Sequence, residues 1–195
     1  MRIGTVLGEE RFGKEGIEIP MVVYTNQESA ELFLNERSLG VKTFEAEDQM
    51  QLVWKVPYEP GTLRVVARAG GEPVAEKAVR TAGPPAAVKV TPDRKTIQAN
   101  RRDVVHLETD IVDAEGTRVP EADHKIAFEI DGPAELIGVE NGDVLDLSPH
   151  KVPYRRTFKG KCLAMVQATD ERGLINITAR MDGLKPAVLQ MQAIS

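Results

Sequence analysis

The sequence is poor in the residue types that most often carry chemistry. One cysteine, Cys162, in 195 residues makes an intrachain disulfide impossible and excludes a cysteine-rich zinc site. The three histidines, His106, His124 and His150, stand far apart and share no ligand-type spacing. Aromatic residues make up only 5%, so each is expected to serve packing before it serves a ligand. Lys and Arg number 25 against 30 Asp and Glu, a net charge of -5, which leaves no electrostatic case for nucleic acid as a partner. No apolar run approaches the roughly 20 residues of a membrane-spanning helix, and no membrane partner is expected. The segment around Glu9, Glu10 and Arg11 lacks the apolar core of a signal peptide. Length excludes as well: 195 residues are too few for a complete (β/α)₈ barrel, which needs roughly 250.

What is present reads as strands. Apolar residues at 42% suffice for ordinary buried cores. Residues 17–25 are apolar and β-branched, with Pro20 pointing to an edge position or a bulge. In residues 51–56, Leu52, Trp54 and Val56 alternate onto one face; in 62–69, Leu63, Val65 and Ala67 turn inward against Arg64 and Arg68. Between them Pro57-Tyr58-Glu59-Pro60-Gly61 is a strong turn signal, and Gly70-Gly71 permits a hairpin. Thr81-Ala82-Gly83-Pro84-Pro85 interrupts the alternation and suits a short, stiff linker. Beyond it Val105, Leu107, Thr109 and Ile111 oppose His106, Glu108 and Asp110, and further strands follow to residue 193. No stretch has sustained helical periodicity. The expected fold is all-β, two tandem antiparallel β-sandwich domains over residues 1–83 and 84–195.

The wording of these segments resembles a known family. Val23-Tyr24-Thr25-Asn26, Glu31-Leu32-Phe33-Leu34-Asn35, Ser38-Leu39-Gly40 and the run Leu52 to Leu63 are similar to the domain after the catalytic barrel in glycoside hydrolase family 2 enzymes, bacterial β-galactosidases and their relatives. Asp113-Ala114-Glu115-Gly116, Gly138-Val139-Glu140-Asn141-Gly142-Asp143 and Tyr154-Arg155-Arg156 with Phe158-Lys159-Gly160-Lys161-Cys162 resemble their last, immunoglobulin-like domain. The match runs in order over residues 15 to 193; Glu36 stands where the family more often has glycine. The resemblance implies two immunoglobulin-like sandwiches from the C-terminal end of a retaining glycosidase. It also implies that the two catalytic glutamates sit on an absent barrel, so that no catalytic residue is assigned in this chain. The expected partners are the barrel and N-terminal domains of the parent, with carbohydrate as a further candidate. No cofactor is expected, and the parent is placed in the periplasm or outside a bacterium. The expected role is a non-catalytic scaffold; the alternative is a carbohydrate-binding module tethering the enzyme to polysaccharide. An adhesin-like repeat array ranks last, since the two halves do not resemble each other.

Asn141-Gly142-Asp143 with Asp146 offers oxygens for calcium, but a tight turn explains it better. Lys151, Arg155, Arg156, Lys159 and Lys161 form the densest basic stretch; the expectation is a solvated face neutralised by Asp143 and Asp146. Within it Lys151, Arg155 and Arg156 are candidates for interdomain contact. Tyr58 and Tyr154 are the candidates for sugar contact, whereas Trp54 is expected in the core. Cys162 is expected to be a buried structural thiol.

Overall fold

The computed structural model describes residues 2–5, 16–45 and 50–195, with residues 2–5 contributing backbone alone. Residues 9–11, the polar N-terminal segment noted above, lie outside the described residues. The chain divides into two compact units, Met1–Thr81 and Ala82–Ser195. All regular structure in the described residues is β, as expected from the period-two patterning.

The first unit is built from β1 (Arg2–Thr5), β2 (Glu18–Tyr24), β3 (Ser29–Leu34), β4 (Arg37–Thr43), β5 (Gln51–Pro57), β6 (Thr62–Ala69) and β7 (Glu72–Arg80). One sheet has the order β1-β2-β5 and the other β4-β3-β6-β7. Among the described residues the β1 ladder reaches Met21, and Pro20, with no N–H to give, stands opposite Lys55 of β5. Leu32, Leu34, Leu52, Trp54, Val56 and Val65 form the core between the sheets. Trp54 is buried and would strand its indole N–H there; a bulge opposite Leu32, at Leu39 and Gly40, presents the Gly40 carbonyl, which accepts it at 3.3 Å.

The turn from β3 to β4 is Asn35-Glu36, with φ of 49° and 62°, the primed geometry that matches strand twist. The Glu36 carboxylate meets Arg64 at 2.8 Å. The Asn35 side chain joins this turn to the one between β5 and β6. Its Nδ2 donates to Pro60 O at 3.0 Å and Glu59 Oε1 at 3.1 Å, and its Oδ1 accepts the Thr62 N–H at 2.9 Å. Gly61 passes so close that a Cβ there would lie 1.7 Å from Asn35 Oδ1, and its φ is +143°.

The second unit contains β8 (Ala87–Pro92), β9 (Thr96–Gln98), β10 (Val104–Val112), β11 (Lys125–Asp131), β12 (Ala134–Glu140), β13 (Tyr154–Arg156), β14 (Lys161–Ala168), β15 (Gly173–Arg180) and β16 (Ala187–Ile194). Its sheets have the orders β12-β14-β10-β8 and β13-β11-β15-β16-β9. Every ladder of the second sheet is antiparallel except β16 with β9. Val105, Leu107, Thr109 and Ile111 all face inward, meeting Ile126, Ile175 and Ile177 from the other sheet. Asp113 is buried at the turn after β10; its carboxylate accepts the N–H groups of Thr117 at 2.8 Å, Gly83 at 2.9 Å and Glu115 at 3.1 Å. Gly83, in the proline-rich segment, is thereby pinned to this unit.

Gly61→Ala is expected to destabilise the first unit by at least about 2 kcal/mol, because the methyl would break the Asn35 hydrogen bonds and the backbone would be held in a region costly for a residue with a Cβ. Thermal unfolding of the variant, followed by Trp54 fluorescence, checks this; an unchanged transition would refute the role given to the Asn35–Gly61 contact.

Candidate functional site

The strongest concentration of polar chemistry lies in the connection between β12 and β13, residues 140–156. Period-two alternation in β13 sends Tyr154 and Arg156 outward and Arg155 inward. Arg155 is 1% exposed, the largest fully buried side chain of the described residues. The expectation of a solvated basic face is corrected at Arg155, whose burial leaves it no surface to offer another domain. A guanidinium taken out of water needs counter-charge, and the loop supplies it. Arg155 Nη2 lies 3.1 Å from Asp146 Oδ2 and 3.5 Å from Glu140 Oε1, while Nη1 donates to Ser148 O at 3.1 Å. Neither Nε nor Nη2 has a hydrogen-bond partner among the described residues, so Nη2 meets the two carboxylates as an ion pair.

The two carboxylates are themselves fixed. Glu140 Oε1 accepts the backbone N–H groups of Asn141 at 2.8 Å and Gly142 at 3.1 Å, and these hold its carboxyl below the ordinary value. Asp146 accepts the Ser148 backbone N–H at 2.9 Å and Asn141 Nδ2 at 2.8 Å. The hydroxyl and N–H of Ser148, then Asn141 and the Arg155 charge, lower its carboxyl to about 2. Asn141 also closes a turn by accepting the Asp143 N–H at 2.9 Å and donates to Arg156 O at 3.1 Å; Gly142 takes positive φ at 80°. The Asn141-Gly142-Asp143 oxygens are thus engaged as a turn.

With the polar side chains turned in, the aliphatic ones are turned out. Val144, Leu145 and Leu147 are 92%, 83% and 95% exposed. Burying such a side chain is worth about 1.5–3 kcal/mol, so this arrangement forgoes stability that an ordinary loop would take. Sequence reasoning missed the triplet, although its signal was available: three aliphatics between Gly142 and Pro149, outside any strand alternation.

The remaining candidates are dispersed. Tyr58 is half-buried in the first unit, its N–H donating to Ile17 O at 2.8 Å. Tyr154 belongs to the second unit and is 38% exposed, with Lys125 Nζ 3.5 Å over its ring, so one ring face is already taken by a cation. Arg156 is exposed and pairs with Asp123 at 3.0 Å; Lys151 is exposed. Lys161 Nζ lies 2.7 Å from Glu108 and 3.7 Å from Asp110. Trp54 and Cys162 are buried as expected, and burial pushes the Cys162 thiol up to about 12, which leaves it without thiolate character.

Two changes test the network. Arg155→Met is expected to destabilise the second unit by about 3 kcal/mol, since it strands Asp146 and Glu140 without their counter-charge. Folding lowers the Asp146 carboxyl from 3.8 to about 2, so its ionisation stabilises the fold fully above that higher value and the benefit is lost as pH falls through the lower one. Asp146→Asn is therefore expected to lower the melting temperature at neutral pH and to flatten its decline between these two values. Calorimetry across that range checks both; an undiminished acid dependence would count against the assignment.

The comparisons agree with this two-unit organisation. Residues 88–190 match the family model for glycoside hydrolase family 2 C-terminal domain 5, and residues 16–75 match DUF4982, a domain of unknown function. A β-galactosidase of Bacteroides ovatus, BoGH2A, is 38% identical over 91% of this chain and 21% of its own length. A putative β-glucuronidase of Formosa agariphila is 33% identical over 81% of this chain and 16% of its own. Among solved structures, a glycosyl hydrolase family 2 member from Bacteroides cellulosilyticus superposes with a TM-score of 0.90 at 32% identity, covering 94% of this chain and 24% of that one. A β-glycosidase from Bacteroides vulgatus gives 0.89 at 34% identity over 98% and 24%. This chain thus spans about a fifth of the length of the curated relatives it matches. With the C-terminal domain model covering more than half of its residues, the chain belongs to glycoside hydrolase family 2, as a C-terminal accessory region of that family's enzymes.

Proposed function

We propose that this chain is a non-catalytic scaffold within a longer retaining β-glycosidase of β-galactosidase type, packed against the catalytic barrel of that enzyme. The observation that carries the proposal is proportion: nearly the whole chain aligns with a β-galactosidase, yet accounts for 21% of it, in a region matched by a C-terminal domain model. The carboxylates point the same way. A retaining glycosidase needs one carboxyl with a raised pKa as general acid and a second, ionised, about 5–5.5 Å away. Glu140 and Asp146 are both held ionised by surrounding donors. Burial raises Asp110, but its carboxylate and that of Glu108 lie beside the Lys161 ammonium, an arrangement that neutralises charge.

The isolated chain is expected to leave a chromogenic β-galactoside unhydrolysed above the buffer rate; turnover at enzyme-like rates would overturn the non-catalytic role. In the longer enzyme, deleting this region is expected to lower the melting temperature of what remains. A truncated enzyme with unaltered melting temperature and activity would overturn the scaffold role.

A further inference from the structure

Resting on the scaffold role, we infer that Val144, Leu145 and Leu147 form a preorganised apolar plug that seats in an apolar recess elsewhere on the same polypeptide, in the part of the enzyme outside these two units. Three observations converge on this occupant. The three side chains are 92%, 83% and 95% exposed within residues 144–147, and exposed aliphatics grouped in this way, unlike singly scattered ones, mark a contact surface. The loop beneath them is already ordered. Asp143 Oδ1 accepts the Leu145 N–H at 3.0 Å, Asp143 O accepts the Asp146 N–H at 3.1 Å, and Asp146 is held by Arg155, Asn141 and Ser148. Docking such a tip costs little further conformational entropy.

The third observation is size. Three aliphatic side chains offer on the order of 300 Å² of apolar surface, well short of the roughly 800 Å² per partner that a stable interface between separate molecules buries. A contact this small holds when the partner is covalently attached, because tethering supplies an effective concentration in the millimolar range. The relatives are about five times the length of the segment they share with this chain, so a tethered partner is at hand. A second copy of the chain would have to associate through the same small tip without that advantage.

The test uses the longer enzyme and the isolated chain, each unmodified and as Leu145→Asp/Leu147→Asp. Because both leucines point into water in the isolated chain, its melting temperature is expected to be the same with and without the substitutions, which separates docking from folding. In the unmodified enzyme, amide hydrogen exchange across residues 143–148 is expected to be at least about tenfold slower than in the isolated chain. The double variant is expected to abolish that protection and to split the thermal transition of the enzyme in two, while Leu145→Met/Leu147→Met retains it. Equal exchange in enzyme and isolated chain, with thermal coupling intact, would overturn the plug and leave the scaffold role standing. Loss of coupling even in the unmodified enzyme would overturn the scaffold role itself. An isolated chain that sediments as a dimer, and as a monomer once the leucines are replaced, would assign the tip to self-association instead.

Discussion

A guanidinium removed from water has to be met by opposite charge, and the second unit is organised around that requirement at Arg155. Glu140 ends β12, Asp146 and Ser148 lie in the loop, and all three converge on the buried Arg155 guanidinium. Each carboxylate is further fixed by backbone N–H groups or by Asn141. The loop cannot satisfy these demands and also fold its aliphatic residues inward, because neighbouring side chains along a turning backbone leave on different sides. With Asp146 turned toward Arg155, its two neighbours Leu145 and Leu147 are left outside. A buried ion pair is weak evidence of net stability gain; its worth here is conformational, since it permits one loop geometry and penalises the others.

The first unit uses a neutral version of the same device. Asn35 ties the β3–β4 turn to the segment from Glu59 to Thr62, two stretches far apart in the chain. This explains why the sequence words ending in Asn35 and containing Pro60-Gly61-Thr62 occur together: one carries the amide, and the other provides the acceptors and the missing Cβ. Gly160 has a comparable place in the second unit, where a Cβ would lie 2.2 Å from Val119 O at a φ of +74°. The Phe158-Lys159-Gly160-Lys161 wording is thus a packing constraint on a turn.

Much of this architecture was legible in the sequence, for a physical reason. A strand buried on one face must alternate, and the alternations of β5, β6 and β10 gave the inward faces correctly, including Trp54 and Thr109. Turn chemistry placed the hairpins. Arg155 was not legible because β13 has only three residues, too short for alternation to outweigh the ordinary expectation that arginine is solvated. Its counter-charges are nine and fifteen residues away, Asp146 in a loop without periodicity and Glu140 at the end of β12. The exposed triplet was missed for the related reason that aliphatic residues are presumed buried unless a pattern says otherwise. Tyr58 and Tyr154 were singled out by type, and type alone says nothing about whether a cation such as Lys125 already covers a ring.

The β7 edge and the loop tip are built to opposite ends. β7 is an edge strand, exposed along its whole length, and open edges invite pairing with other chains. It is guarded: Pro73 removes a donor, Glu72, Glu76 and Lys77 place charge along it, and its pairing with β6 skips Val74, the mark of a bulge. A molecule that protects this edge in such a way, yet carries three bare aliphatic side chains on a loop braced by a buried arginine, separates unwanted association from wanted contact. Strand pairing is sequence-tolerant and would accept many partners. A small apolar tip of fixed shape accepts only a complementary recess, and holds only when the recess is tethered close by. Specificity of docking in such a scaffold then rests on the rigidity of the loop, and that rigidity comes from Arg155.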